Sequence, residues 1–194
     1  MNYAKSYIDN FRKYAAAVAA EKAARAALAN EFDTHAITKA TFDAKLAAIL
    51  ETAPKEIDYR KAADKIIADF DAAYSAWIVP DGSKVDEADL KVLNPVFITS
   101  AVDLQHLADR HRKNPTMCKP IRKYAVEKGF NIRILDVDAP VRAMGMLKML
   151  AQKALNDFNG YSANCLASDK FCQKFIDMVD VLDGKELLTD TIEE

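Results

Sequence analysis

The chain has 194 residues, a formal net charge of −2 and an isoelectric point near 6.0. A nucleic-acid-binding domain is usually strongly basic as a whole, so this balance argues against indiscriminate binding to DNA or RNA. Hydrophobic residues make up 51% of the chain, many of them alanine, and there are only five glycines and six prolines. Because alanine favours helix more than any other residue, the composition predicts a mainly α-helical fold with long helices.

The chain contains no stretch of the ~18 consecutive apolar residues that a membrane-spanning helix needs. Its first residues also lack the basic-then-apolar layout of a secretory signal. We therefore expect no membrane contact and a cytoplasmic protein. The three cysteines, Cys118, Cys165 and Cys172, lack CxxC spacing and have no histidines placed to complete a zinc site. We expect them to be buried, reduced thiols.

The first 32 residues predict one long helix, because apolar residues recur at alternating spacings of four and three, as in a coiled-coil seam. Glu21 and Arg25 interrupt this seam, and alanine dominates around them. Such a helix is only marginally stable alone, so we expect it to pack against a neighbour from its own chain or from another copy. Its aromatic residues suit a partner interface, with packing against the third helix as the alternative: Tyr7, Phe11 and Tyr14.

Two more helices are predicted before the clearest turn signal, at residues 80–83. Thr38 caps the first of them, which Pro54 ends, and the second runs from about Ile57 to Ile78. Residues 1–79 therefore predict an alanine-rich helical hairpin or bundle. The composition changes after this turn, so we expect a second, mainly helical part over residues 83–184 and an acidic, frayed tail over residues 185–194.

The second part is predicted to be helical with at most a short two-stranded β element. Ser100 should cap a helix over about residues 101–113, and Gly129 should end the next one. Asn114 could cap that next helix, with Pro115 at its first position. Pro120 would then clash with the carbonyl four residues back, so we expect the helix to begin at Pro120 instead. Residues 131–137 alternate like a strand and could pair with residues 96–99. Two further helices are predicted, over residues 140–158 and 168–182.

A basic block stands out between Leu104 and Arg133, where eight basic and two acidic residues give a net charge of +6. Segregated charge of this kind indicates where an acidic partner would dock. The predicted helix-turn-helix-like unit at residues 101–128 presents six of these cations as a candidate partner-binding face: Arg110, Arg112, Lys113, Lys119, Arg122 and Lys123. The partner could be a protein, a nucleic acid or the chain's own acidic tail, and a plain solvated surface is the remaining alternative.

The sequence offers no catalytic signature: no GxSxG, no glycine-rich phosphate loop and no HExxH occurs. Asp103 and His106 are three residues apart and could share a helix face, as a hydrogen-bonded pair or as two metal ligands. A third ligand is not identifiable. We therefore expect no enzymatic activity, no catalytic residue, no metal site and no cofactor.

Residues 107–117, with the sequence LADRHRKNPTM, are followed by IRKYA at residues 121–125 and by Gly129. These segments resemble part of the small helical proteins that are encoded among phage and prophage virion genes. The resemblance covers about 25 of the 194 residues. It implies a virion component or assembly factor, found in the cytoplasm of a bacterial host or in the virion, with no catalytic residues to carry over.

These features together favour a non-enzymatic structural or assembly protein that acts through helical protein–protein contacts. It would self-associate or join a larger assembly through its N-terminal helix and its basic unit. The alternative is a nucleic-acid-binding regulator that uses residues 101–128.

Overall fold

The computed structural model describes residues 2–191 of the chain. The fold is mainly α-helical with one short two-stranded antiparallel sheet, as the composition predicts. The helices and strands in chain order are α1 Tyr3–Asp33, α2 Lys39–Glu51, α3 Glu56–Ile78, α4 Glu87–Val92, α5 Ala101–Arg110, α6 Pro115–Lys128, β1 Arg133–Leu135, α7 Ala139–Asn156, α8 Tyr161–Ala167, α9 Asp169–Val179 and β2 Leu188–Asp190.

The first hydrophobic core joins the N-terminal half of α1 to α3, α7, α8 and α9. Ile8 and Phe70 are almost fully buried there, and Leu147 of α7 lies in the same cluster. Arg12 fastens α1 to the end of α8 by donating its Nε–H to the Leu166 carbonyl at 2.8 Å. This core therefore includes residues from both sides of the composition change at residues 80–83.

The second hydrophobic core lies between α5, α6 and β1. Leu104 and Leu107 of α5 pack with Met117 and Ile121 of α6, and all four are at most 1% exposed. Val181, just beyond α9, is buried in the same cluster. The C-terminal region thus contributes to both cores.

The predicted helix ends at Thr38, Ser100 and Gly129 are confirmed. The hydroxyl of Thr38 accepts a hydrogen bond from the Thr41 amide. Ser100 and Asp103 form a capping box, in which each side chain accepts from the other residue's backbone amide. Gly129 adopts φ = 67°, a left-handed conformation that costs glycine little, and so ends α6.

The prediction that the basic helix begins at Pro120 is wrong, because α6 begins at Pro115 and continues through Pro120. Asn114 caps α6 by accepting hydrogen bonds from the amides of Thr116 and Met117. Pro120 removes one hydrogen bond, yet Cys118 before it and Ile121 after it are buried in the second core. This packing holds the helix together across the proline.

The predicted pairing of residues 131–137 with residues 96–99 is also wrong. Residues 95–97 form a turn that leaves Val96 79% exposed. β1 pairs instead with β2, in the tail that was expected to be frayed, with Ile134 opposite Thr189. Backbone hydrogen bonds extend the pairing at both ends: the Asp136 amide donates to Leu187, and the Thr191 amide donates to Ile132. The tail residues 192–194 lie outside the described residues.

Candidate interaction surface

The C-terminal half of α1 and the whole of α2 form an antiparallel helical hairpin, residues 15–53. The rings of Phe32 and Phe42 lie 4.9 Å apart near its tip, and Lys45 Nζ lies 2.7 Å from Glu31 Oε2. A short turn connects the helices, with His35 at φ = 58°. The sequence predicts both helices of this hairpin. In α1 the apolar seam continues beyond the residues that reach the first core, and the cap at Thr38 and Pro54 mark the two ends of α2.

The hairpin buries very little of its own surface. Within residues 15–53, all of which the structure describes, Leu28 is the single buried side chain, and α2 contributes none. α2 packs extensively on α1 alone among the described elements. Leu50 of α2 is 48% exposed. Most helical stability in proteins comes from packing against a neighbour, and this hairpin packs little of its surface against the rest of the chain. It therefore leaves helical surface that another helix could cover.

Two cavities lie beside α1 at the base of the hairpin, where α2 ends and α3 begins. One measures about 430 Å³ and is lined by Ala20, Ala24 and Ile49, among others. The other measures about 340 Å³ and reaches Lys13 and Asp58. Both are lined by Ala17 and Pro54, so the cavities adjoin and form one shallow channel, which we call the α1 channel.

The aromatic residues proposed as a partner-binding patch lie mostly inside the protein. Tyr7 and Phe11 are 4% and 2% exposed and belong to the first core. Tyr14 is half-buried and stacks on Tyr59 of α3, with ring centroids 5.0 Å apart. Burial is the main cause that raises the pKa of both Tyr7 and Tyr59. The structure corrects the interface interpretation for Tyr7 and Phe11, because α3 and α7 already cover this face of α1.

Three of the six candidate cations lie at the end of α5 and in the turn after it, and they pair with carboxylates of the same chain. Arg110 Nη2 lies 2.8 Å from Asp89 Oδ1, and Arg112 Nη2 lies 2.9 Å from Asp109 Oδ1. Lys113 Nζ lies 3.8 Å from a carboxylate of the acidic tail, that of Glu186. Of these three cations, Lys113 therefore makes the contact with the acidic tail that the sequence analysis considered.

The other three cations lie on α6. Lys119 donates to the carbonyl of Ile78 at 3.1 Å, Arg122 lies 3.9 Å from the buried carboxylate of Asp136, and Lys123 lies 3.8 Å from Glu127. All six cations of the predicted basic face thus have a polar partner within the chain. Docking of an acidic partner would have to compete with these contacts.

A polar cluster that the sequence analysis missed connects α4 to the end of α5. The carboxylate of Asp89 is buried, and its Oδ2 lies 2.8 Å from Nε2 of His111. Asp86, Asp89 and His111 each place one potential metal ligand atom within 4.8 Å of the others. Both oxygens of Asp89, however, already contact cationic or hydrogen-bonding partners, Arg110 and His111. We interpret the cluster as a buried polar link between two helices.

Asp103 and His106, the pair considered from the sequence, do not form a site. The Oδ2 atom of Asp103 accepts hydrogen bonds from Thr99 and Ser100 at the start of α5. These hydrogen bonds, those from the Ser100 and Thr99 hydroxyls foremost, lower the pKa of Asp103. This carboxylate is therefore occupied as a helix cap.

Among the described helices, none combines the length and the apolar character needed to cross a bilayer. Comparisons with known proteins find no matching family model, no similar characterised protein and no similar solved structure.

Proposed function

We propose that this chain is a non-enzymatic structural or assembly protein, and that the hairpin, residues 15–53, is its main contact surface for other helices. The observation that carries the proposal is the near absence of buried side chains in a hairpin of two alanine-rich helices. The resemblance of residues 107–129 to proteins encoded among phage virion genes supports a role in a phage particle or in its assembly.

The energetics of α2 favour a partner. Its apolar residues Leu46, Ile49 and Leu50 are only partly covered by α1. Fully burying a leucine or isoleucine side chain is worth roughly 1.5–3 kcal/mol, much of which α2 does not gain within the chain. A helix laid along the hairpin would cover these side chains and the alanines of α1. The contact would then stabilise both the complex and α2.

In-cell photocrosslinking tests this proposal. A photoreactive phenylalanine analogue is placed at Ala24 of α1 or Leu50 of α2, one on each helix of the hairpin, in the cells that naturally produce the protein. Tyr161, an aromatic residue of α8 that is 78% exposed, provides the matched control position outside the hairpin. We expect a discrete cross-linked product from at least one hairpin position and none from Tyr161.

The mass of that product identifies the partner class. Twice the 21.5 kDa chain mass indicates self-association, and any other discrete mass indicates a different protein. If neither hairpin position yields a product, or if Tyr161 yields the same products, the hairpin is not the contact surface and the proposal fails.

A further inference from the structure

One face of α1 has a symmetric pattern of side chains: small residues fill its middle, and residues of opposite charge stand at its two ends. The residues on it follow spacings of four, three, four, three and four, so they line one side of the helix: Lys13, Ala17, Ala20, Ala24, Ala27 and Glu31. A cation stands at the N-terminal end, an anion at the C-terminal end, and alanines fill the four positions between them. We call this set the α1 alanine face.

Two copies of this face match each other when the helices run in opposite directions. Lys13 of one copy then faces Glu31 of the other, and Ala17 faces Ala27. Ala20 of one copy faces Ala24 of the other around the midpoint. A two-fold axis requires such self-complementarity, because each contact occurs twice with the roles exchanged. From this match we infer that the α1 alanine face binds the same face of a second copy of this chain, antiparallel.

The structure leaves this face open to a second copy. Ala17, Ala20, Ala24 and Ala27 are all exposed, and the α1 channel runs along the first three of them. Lys13 is exposed, and no salt bridge is found for it among residues 2–191. Glu31 is half-buried and lies 2.7 Å from Lys45 of its own chain, so its carboxylate would take Lys13 of the second copy as a second cationic partner. The channel would receive the C-terminal half of α1 from the second copy, and the reverse contact would form by symmetry.

Helix dimensions set the size of such a contact. Eighteen residues separate Lys13 from Glu31, which is about 27 Å at 1.5 Å per residue. Small residues allow helix axes to approach to about 8 Å, the short end of the usual range. A contact of this length and roughly 20 Å wide, with both helices of each hairpin taking part, covers on the order of 500 Å² per copy, the size of a weak, reversible interface. The antiparallel direction also places the two globular parts at opposite ends of the paired helices.

Charge reversal tests the inference, which rests on the proposed role of the hairpin. Sedimentation equilibrium of the purified chain should show a dimer at micromolar concentrations. Lys13→Glu alone and Glu31→Lys alone each create two repelling pairs, and we expect each to weaken dimerisation about tenfold at low salt. The double variant K13E/E31K should restore it. An equimolar mixture of the two single variants should also dimerise, because both contacts in the mixed dimer are attractive.

A matched pair of arginine substitutions tests the close approach of the two α1 helices. Ala24→Arg places a long charged side chain at the midpoint of the face, while Ala26→Arg places the same side chain on the opposite side of α1. Arginine is a good helix former, and both positions are exposed, so both variants should keep the wild-type helical content. We expect A24R to be monomeric and A26R to dimerise like the wild type.

Several results would overturn the inference. One is a monomer for the wild type up to about 100 μM; another is failure of K13E/E31K to recover dimerisation when both single variants remain folded. Equal effects of A24R and A26R would also overturn it. A monomeric wild type that still forms a hairpin cross-link of another mass in cells would reject the dimer alone and leave the proposed function standing.

Discussion

Phe11 provides a quantitative test of how α1 is attached to the rest of the protein. Its side chain is 2% exposed and lies between two rings, with centroids 6.2 Å from Tyr59 in an edge-on arrangement and 6.3 Å from Phe158 in a stacked one. Phe11→Ala would remove a ring that packs α1 against both α3 and the residues that follow α7. No polar group would be unpaired by this change, so the effect isolates packing.

Truncating a buried phenylalanine to alanine typically costs about 3–5 kcal/mol, from the lost transfer free energy and the cavity that remains. For a chain of this length, each kcal/mol lowers the melting temperature by roughly 2–4 °C. We therefore expect Phe11→Ala to lower the melting temperature by roughly 6–20 °C. Phe97→Ala, at a phenylalanine that is 62% exposed, is the matched control and should change stability by less than about 0.5 kcal/mol.

Urea unfolding followed by circular dichroism, combined with differential scanning calorimetry, measures both quantities. The loss in Phe11→Ala should be the same at all protein concentrations, because Phe11 packs within the chain. A loss below about 1 kcal/mol would refute the packing argument. A loss that grows with protein concentration would place Phe11 at an intermolecular contact, the interpretation that the sequence alone favoured.

Two further predictions concern ionisable groups. The pKa of Asp103 is lowered in the folded protein, so its capping contribution is present above the unfolded pKa of about 3.9 and is lost as the pH falls through the folded value. The stability difference between the wild type and Asp103→Asn, measured by urea unfolding, should therefore shrink between pH 6 and pH 3; a constant difference would contradict this role. Burial raises the pKa of the Cys118 thiol to about 11, so its alkylation by iodoacetamide at pH 8, followed by mass spectrometry, should be at least about a hundredfold slower in the folded than in the urea-unfolded chain. Equal rates in the two states would show that Cys118 is not buried.

The sequence predicts most helix boundaries that depend on neighbouring residues. The caps at Thr38, Ser100 and Gly129 are formed within three or four residues, either by a side chain that accepts from nearby amides or by a left-handed glycine. The apolar spacing of α3 likewise shows which face is buried, because it repeats with the period of the helix. The helix α8, Tyr161–Ala167, was missed because its seven residues are too few to show such a period.

The interaction surface, too, could be predicted only in part from the sequence. The sequence shows that α1 is long, alanine-rich and interrupted at Glu21 and Arg25, features that suggest a helix in need of a neighbour. It does not show that α7 packs on α1 beside α3, so that Tyr7 and Phe11 are buried. The exposed part of α1 is therefore its alanine-rich half, rather than the aromatic half that the sequence analysis favoured.

Local sequence thus determined the helical class, most of the caps and the amphipathic faces, because those depend on interactions within about one helical turn. The tertiary structure alone decided that the acidic tail supplies strand β2, that Pro120 lies inside α6, and that Asp89 is buried against His111. These outcomes depend on residues that lie from about 20 to more than 50 positions apart or on burial in a core. Side chains distant in sequence come together only when the packing of the whole chain repays the entropy of closing the loops between them.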